Sequence, residues 1–199
     1  KYSKFFKEDE NAKFKENLQI IVKQINQIEN LVNEFSDFAR MPKPIFKKNE
    51  LVSIIKDNIK LLSELDQKIE INLNSINNKI VLNSDNEQLS RVFLNLIKNS
   101  IESIQEKKAD NPNFTGKIDI EIYEKSDYIE FVITDNGKGF QVSSNNFKEI
   151  LNPYFTTKEK GTGLGLAIVN KIINDHNGII DFRSIDNGAE VKIKFLKNE

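Results

Sequence analysis

Five of the 8 glycines in this 199-residue chain fall in two short clusters, Asp135-Asn136-Gly137-Lys138-Gly139 and Gly161-Thr162-Gly163-Leu164-Gly165. Glycine lets a backbone turn sharply and lets a ligand approach it without meeting a side chain. The first cluster follows an apolar, strand-like run, so it reads either as a plain strand-exit turn, where Asn-Gly is common, or as a point where a ligand meets backbone. The second opens directly into the apolar stretch 164–169, whose helical start leaves amides unbonded at the positive end of the helix dipole. Phosphate cradling is the chemistry that such a loop suits. The Gly-Lys-Ser/Thr ending of a Walker A loop is missing. A dinucleotide fingerprint is suggested by Asp181, about twenty residues on. Against it, Leu166 holds the third glycine position and Thr156–Lys160 is no buried strand.

A third polar constellation lies on a helix predicted over about 86–107. Leu89, Phe93, Leu96, Ile97, Ile101 and Ile104 make its apolar face, and Gln88, Arg91, Asn95, Asn99, Glu102 and Glu106 line the opposite one. Asn is heavily used throughout, so Asn95 and Asn99 alone would pass for a solvated face. Beside a phosphate loop, an amide oxygen there is a candidate Mg2+ ligand, because Mg2+ takes few protein oxygens and completes its shell with phosphate and water. With no Cys and one His, His176, the chain has no disulfides, thiolate nucleophiles or Cys- or His-cluster metal sites, so a divalent ion must sit on oxygen. His176, at a predicted helix end, reads as a cap-region residue favourable to the helix dipole.

Composition narrows the class further. Lys+Arg number 29 against 30 Asp+Glu, and this near-neutral balance does not suggest nucleic-acid binding by phosphate neutralisation. No apolar run approaches the roughly 18 residues of a membrane span, so no membrane contact is expected from this segment. The chain begins with Lys and carries no signal-peptide pattern, which reads as a portion of a longer protein.

The elements that must position these residues follow from periodicity. Phe14, Leu18, Ile21, Ile25, Ile28, Val32, Phe35 and Ala39 alternate spacings of four and three, the seam of a coiled-coil or bundle helix over about 10–40. Such a seam needs partner helices or, less simply, packing on its own domain. Met41-Pro42-Lys43-Pro44 must stop the helix and marks a boundary between residues 1–44 and 45–199. Beyond it come a helix at about 50–66, short alternating runs at 69–73 and 79–82, and the helix carrying Asn95. A strand pair at 117–123 and 128–134, a loose helix or loop at 141–150, a helix at 165–176 and a hairpin of 179–184 with 190–195 across Asn187-Gly188 complete the chain. This is an α+β pattern, helices on one face of a mixed sheet.

Taken in order, Asn95-Leu-Ile-Lys-Asn99, Asp135-Asn-Gly-Lys-Gly139, Asn152-Pro-Tyr-Phe-Thr-Thr-Lys158 and Gly161-Thr-Gly-Leu-Gly-Leu-Ala167 resemble the N, G1, F and G2 boxes of the histidine-kinase ATP-binding domain, of the GHKL group. Asp37-Phe-Ala-Arg-Met-Pro-Lys-Pro44 also resembles the helix-to-linker junction of NtrY-type nitrogen-regulation sensor kinases. The resemblance implies a Bergerat-type two-layer α/β sandwich, preceded by the second helix of a dimerisation and phosphotransfer bundle. ATP and Mg2+ are the implied cofactors. By similarity Asp135 accepts from the adenine amine, Asn99 holds Mg2+, and Asn95, Gly137 and Gly139 line the same cleft. Gly161, Thr162, Gly163, Leu164 and Gly165 face the triphosphate, Lys158 adds charge near the γ-phosphate, and Phe155 anchors a lid over about 140–163.

Two departures bear on the chemistry. Gyrase-, MutL- and chaperone-type relatives carry a Glu where Asn95 stands, and an amide cannot take a proton at neutral pH, so transfer to another nucleophile is expected over hydrolysis. Glu102 stands where many kinases of this class carry a Lys. The family's phosphate acceptor is a His on a preceding helix, so the acceptor is expected upstream of Lys1. The implied partners are a second copy, through the bundle, and a response-regulator receiver domain. The implied setting is the cytoplasmic portion of an inner-membrane sensor. A hydrolysing ATPase and a non-catalytic dimeric scaffold are the alternatives.

Overall fold

The computed structural model describes residues 8–64, 66, 68–140, 147–158 and 161–197, with side chains described from residue 12 onward except that of Asn30. Helix α1 spans Glu8–Ala39. Most of its predicted seam is open among the described residues: Leu18, Ile21, Ile25, Ile28, Val32 and Phe35 are all exposed, Ile28 to 60%. The last turns do dock. Phe38 packs against the core, and Arg91 Nη2 donates to Asp37 Oδ2 at 2.9 Å.

After the proline segment the order is β1 (Lys47–Glu50), α2 (Leu51–Ser63), β2 (Ile69–Ser75), β3 (Val81–Ser84) and α3 (Asn86–Asp110). Then come β4 (Gly116–Glu124), β5 (Tyr128–Asp135), a 3-10 turn at Glu149–Leu151, α4 (Gly165–Asp175), β6 (Gly178–Ile185) and β7 (Gly188–Leu196). Five strands form one mixed sheet in the order β2-β4-β5-β7-β6. β2 runs parallel to β4, and the other neighbours are antiparallel. Alternation decides the faces: Ile118, Ile120 and Ile122 are at most 1% exposed, while Lys117, Asp119 and Glu121 point the other way.

Helix α3 is the centre of the helical layer. Leu89, Phe93, Leu96, Ile97, Ile101 and Ile104 are each at most 3% exposed, a burial worth on the order of 1.5–3 kcal/mol per side chain. Phe93 lies 5.2 Å from Phe131, centroid to centroid, and Phe131 meets Phe195 edge-on at 6.0 Å.

The register places the chemistry. Asp135, the last residue of β5, lies opposite Ile118 on one side and Ala189 on the other, so the first glycine cluster leaves the sheet beside α3. Asp85 caps α3: its Oδ1 accepts from Gln88 N–H at 3.1 Å and its Oδ2 from Ile45 N–H at 2.8 Å.

Several details differ from the sequence reading. β1 was not anticipated, and β3 begins at Val81 and pairs with β1 in a separate two-stranded ribbon. α3 continues to Asp110 and α2 ends at Ser63. Gln88, assigned to the polar face, is buried because its Nε2 donates to Pro42 O at 2.9 Å, tying the proline segment down. His176 does cap α4, and it is also a hydrogen-bonding joint. Nε2 accepts from Asp85 N–H at 3.0 Å and Nδ1 lies 2.8 Å from Ile172 O, the pattern of the tautomer that carries its proton on Nδ1. Of the segment read as loose helix or loop, 141–146 lies outside the described residues, and Glu149–Leu151 is the 3-10 turn.

Candidate functional site

Between α3, the end of β5 and the loop entering α4 lies a cavity of about 960 Å³, a size in the range of small-molecule sites. At one end sits Asp135, only 6% exposed. Its Oδ1 accepts from Gly137 N–H at 2.9 Å. Burial pushes its carboxyl above the ordinary aspartate range, while Gly137 N–H, the Ser100 hydroxyl, Ala189 N–H and the Lys107 charge pull the other way. The glycine after Asp135 is required by space: a Cβ on Gly137 would stand 2.4 Å from Ser103 Oγ and 2.8 Å from the Ser103 carbonyl carbon. Lys107 Nζ donates to Asn136 O at 2.7 Å and Gly137 O at 3.1 Å, and Lys138 N–H donates to Ser103 Oγ at 3.0 Å. The turn is thus pinned to α3 from below.

At the other end the glycine loop meets α4. The first bond of that helix runs from Ile168 N–H to Leu164 O at 2.9 Å, so the amides of Gly165, Leu166 and Ala167 have no partner within the helix. Gly163 has φ +70, and a Cβ there would stand 2.4 Å from the Tyr154 carbonyl carbon. Tyr154 N–H donates to Gly163 O at 3.0 Å. The Asn152–Lys158 segment and the glycine loop therefore cross backbone to backbone.

On the α3 wall, Asn95 Nδ2 donates to Arg91 O at 2.9 Å, which turns its Oδ1 toward Gly165. One turn on, Asn99 Oδ1 accepts from Lys158 Nζ at 3.3 Å, and the same ammonium is ion-paired with Glu102 Oε2. Asn99 Oδ1 already faces a cation, so this wall suits one. Among the described residues no group of three or more His, Cys, Asp or Glu could hold a metal, so Mg2+ here would depend on phosphate oxygens and water for most of its shell.

The cavity lining brings together Asn95, Asn99, Asp135 and Gly139 with Phe155, Lys158, Gly161, Thr162, Gly163 and Gly165. Gly137 stands behind that wall, bonded to Asp135. Leu164 is fully buried, and its N–H donates to Thr162 Oγ1 at 3.3 Å. Three contributors escaped the sequence reading. Ser103 and Lys107 follow Asn99 at four-residue spacing, a helical signal that was there to find. Glu34, on α1, also lines the cavity and accepts from the Thr162 hydroxyl; no local pattern marks it.

Residues 84–199 match the histidine kinase-, DNA gyrase B- and HSP90-like ATPase family, and the chain belongs to that family. Within it the chain is 37% identical over 94% of its length to an NtrY-like protein of Rickettsia conorii whose name places it with the sensor histidine kinases. It is 33% identical over 90% of its length to the nitrogen regulation protein NtrY of Azorhizobium caulinodans. The chain spans 30% of the first relative and 23% of the second. Among solved structures, the nucleotide-free catalytic domain of histidine kinase ThkA matches with TM-score 0.67 and 26% identity, over 77% of this chain and 96% of that one. Two longer proteins share the fold over 93% of this chain. They are full-length ShkA in complex with AMPPNP, at TM-score 0.74, 18% identity and 39% of that chain, and ThkA in complex with response regulator TrrA, at TM-score 0.73, 23% identity and 52% of that chain.

Proposed function

We propose that this chain is the ATP-binding core of a two-component sensor histidine kinase, with residues 45–199 as the catalytic unit and residues 1–44 as the second helix of a dimerising, histidine-bearing bundle plus its linker. One observation carries the reading. A single cavity has a buried carboxylate, Asp135, at one end and a glycine loop with a helix N-terminus at the other, and Lys158 reaches its α3 wall at Asn99 and Glu102. That polarity suits a purine joined to a polyphosphate.

Asp135 accepts from the exocyclic amine of adenine; guanine would present a carbonyl there, acceptor against acceptor. Gly161 and Gly163 admit phosphate oxygens, and the amides opening α4 meet their charge. Asn99 would hold Mg2+, which would neutralise and orient the phosphates. Lys158 adds charge near the γ-phosphate, and Phe155 anchors the lid. Asn95 offers no base to water, so hydrolysis stays slow and the γ-phosphoryl waits for a better nucleophile. An imidazole nitrogen attacks phosphorus as the bond to the bridging oxygen breaks, and ADP departs with that electron pair.

His176 is unsuited as that acceptor, since it is 8% exposed and both ring nitrogens are engaged. The acceptor lies outside this chain, on the partner helix that the exposed seam of α1 requires. A receiver-domain Asp takes the phosphoryl next, a reading supported by the ThkA–TrrA complex. No helix among the described residues is long and apolar enough to cross a membrane; the anchoring of an inner-membrane sensor is assigned to segments outside this chain.

The test is incubation with ATP labelled at the γ-phosphate. The chain alone should stay unlabelled, while the full-length protein should acquire an acid-labile, base-stable label. Steady phosphate release by the chain, lost in Asn95→Ala, would instead establish a hydrolysing ATPase.

A further inference from the structure

The Lys158 ammonium bridges Asn99 and Glu102 across the cavity wall, although Lys158 arrives from the loop crossing the glycine cluster and the other two stand on α3. The turn presenting it is knitted to itself: Lys158 N–H donates to Thr156 Oγ1 at 3.1 Å, and Gly161 N–H donates to Lys158 O at 3.2 Å. The contact to Asn99 is long, at 3.3 Å, and neutral on the acceptor side. The contact to Glu102 joins opposite charges, and Glu102 Oε1 also lies 4.0 Å from Lys98 Nζ. Glu102 is therefore what holds the lysine here.

We infer that Glu102 is a positioning residue that parks Lys158 on Asn99 and makes nucleotide binding depend on the metal. The inference rests on the Mg-ATP reading of this site. A metal held by Asn99 Oδ1 and an ammonium hydrogen-bonded to the same oxygen would be two cations too close to coexist comfortably. Lys158 would then leave Asn99 and turn toward the phosphates. Without the metal, Lys158 stays with Glu102 and is withheld from the triphosphate. Lys158 thus reaches the nucleotide only when the metal does.

The experiment is calorimetric titration of the chain with AMPPNP, with Mg2+ and with EDTA, for wild type, Glu102→Gln, Glu102→Asp, Lys158→Ala and the Glu102→Gln/Lys158→Ala pair. Both side chains are partly exposed, and a thermal melt checks that each variant folds. Glu102→Gln should tighten binding in EDTA about three- to fivefold and narrow the gap between the two conditions. Glu102→Asp, which keeps the charge, should move the gap less, and Lys158→Ala should abolish the effect of Glu102→Gln on it. A gap that is unchanged or widened in Glu102→Gln overturns the inference, as does the same change in the Lys158→Ala background. Widening would mark Glu102 as facing the metal itself. In those cases the wild type still binds, so the ATP reading survives; a wild type that binds no nucleotide removes both.

Discussion

The Thr162 hydroxyl donates to the Glu34 carboxylate, joining the glycine loop ahead of α4 to a helix 128 positions earlier in the chain. Because Leu164 N–H donates to the same hydroxyl, a short relay runs from the start of α4 to a carboxylate on α1. That carboxylate lies where the proposed triphosphate would arrive, and like charges repel. Glu34→Gln should therefore tighten AMPPNP binding, by about three- to fivefold for one charge in a partly solvated cavity. Weaker binding would mean that Glu34 assists the nucleotide, and equal binding that its charge does not act on the triphosphate; either contradicts the repulsion.

Asp135 gives a pH dependence of defined sign. Its carboxyl is pushed above the ordinary range, mainly by burial, so it protonates at a higher pH than an exposed aspartate. Adenine affinity should fall as pH falls through that raised value, while an exposed carboxylate would still be charged. For stability the sign is opposite: the ionised form is a cost to the fold above the raised pKa, relieved as pH drops toward the unfolded value. Asp135→Asn should leave melting at neutral pH unchanged or raised, yet weaken nucleotide binding about tenfold or more, the worth of a charge-assisted hydrogen bond. Paired calorimetry and thermal melts read both.

Asp85 works the other way. Burial pushes its carboxyl up, but the N–H groups of Ile45, Gln88 and Glu87 outweigh it and hold the carboxyl below the ordinary range. Its stabilisation is present above the unfolded pKa and is lost as pH falls through the lowered folded value. Asp85→Ala removes the α3 cap and the tie to Ile45, a loss of about 1–2 kcal/mol. Thermal melting at neutral pH should drop by several degrees, with a smaller difference from wild type in strong acid.

Gly163→Ala tests the crossing of the two loops. The left-handed φ and the 2.4 Å approach to Tyr154 leave no place for a methyl group. Nucleotide binding should be lost while far-UV circular dichroism and most of the melting enthalpy survive, because the strain falls on the loop rather than on the core under α3.

Much of this was legible because it is local and periodic. The apolar face from Leu89 to Ile104, the Ile118–Ile122 alternation and the Asn187-Gly188 hairpin each announce an element within a few residues. β1 was not: Lys47-Lys48-Asn49-Glu50 has poor strand propensity and is extended because it pairs with Val81–Ser84. Gln88 looked solvated until the Pro42 carbonyl came down on it. At the site, the glycine clusters stood out by type and spacing, whereas the roles of Asp135 and Asn99 came from the family resemblance, since Asn99 alone would pass for a solvated face. Glu34 reaches the cavity only through tertiary docking of α1, and the Lys158–Glu102 pair depends on a loop returning to α3; neither leaves a trace in local sequence.

The most direct measurement is titration of this chain with AMPPNP and Mg2+, beside the matching guanine analogue and the Asp135→Asn variant. The account predicts one adenine nucleotide per chain, bound by the wild type, weakened in Asp135→Asn and not matched by guanine. No binding by a folded wild type, or equal binding of both bases, would contradict it.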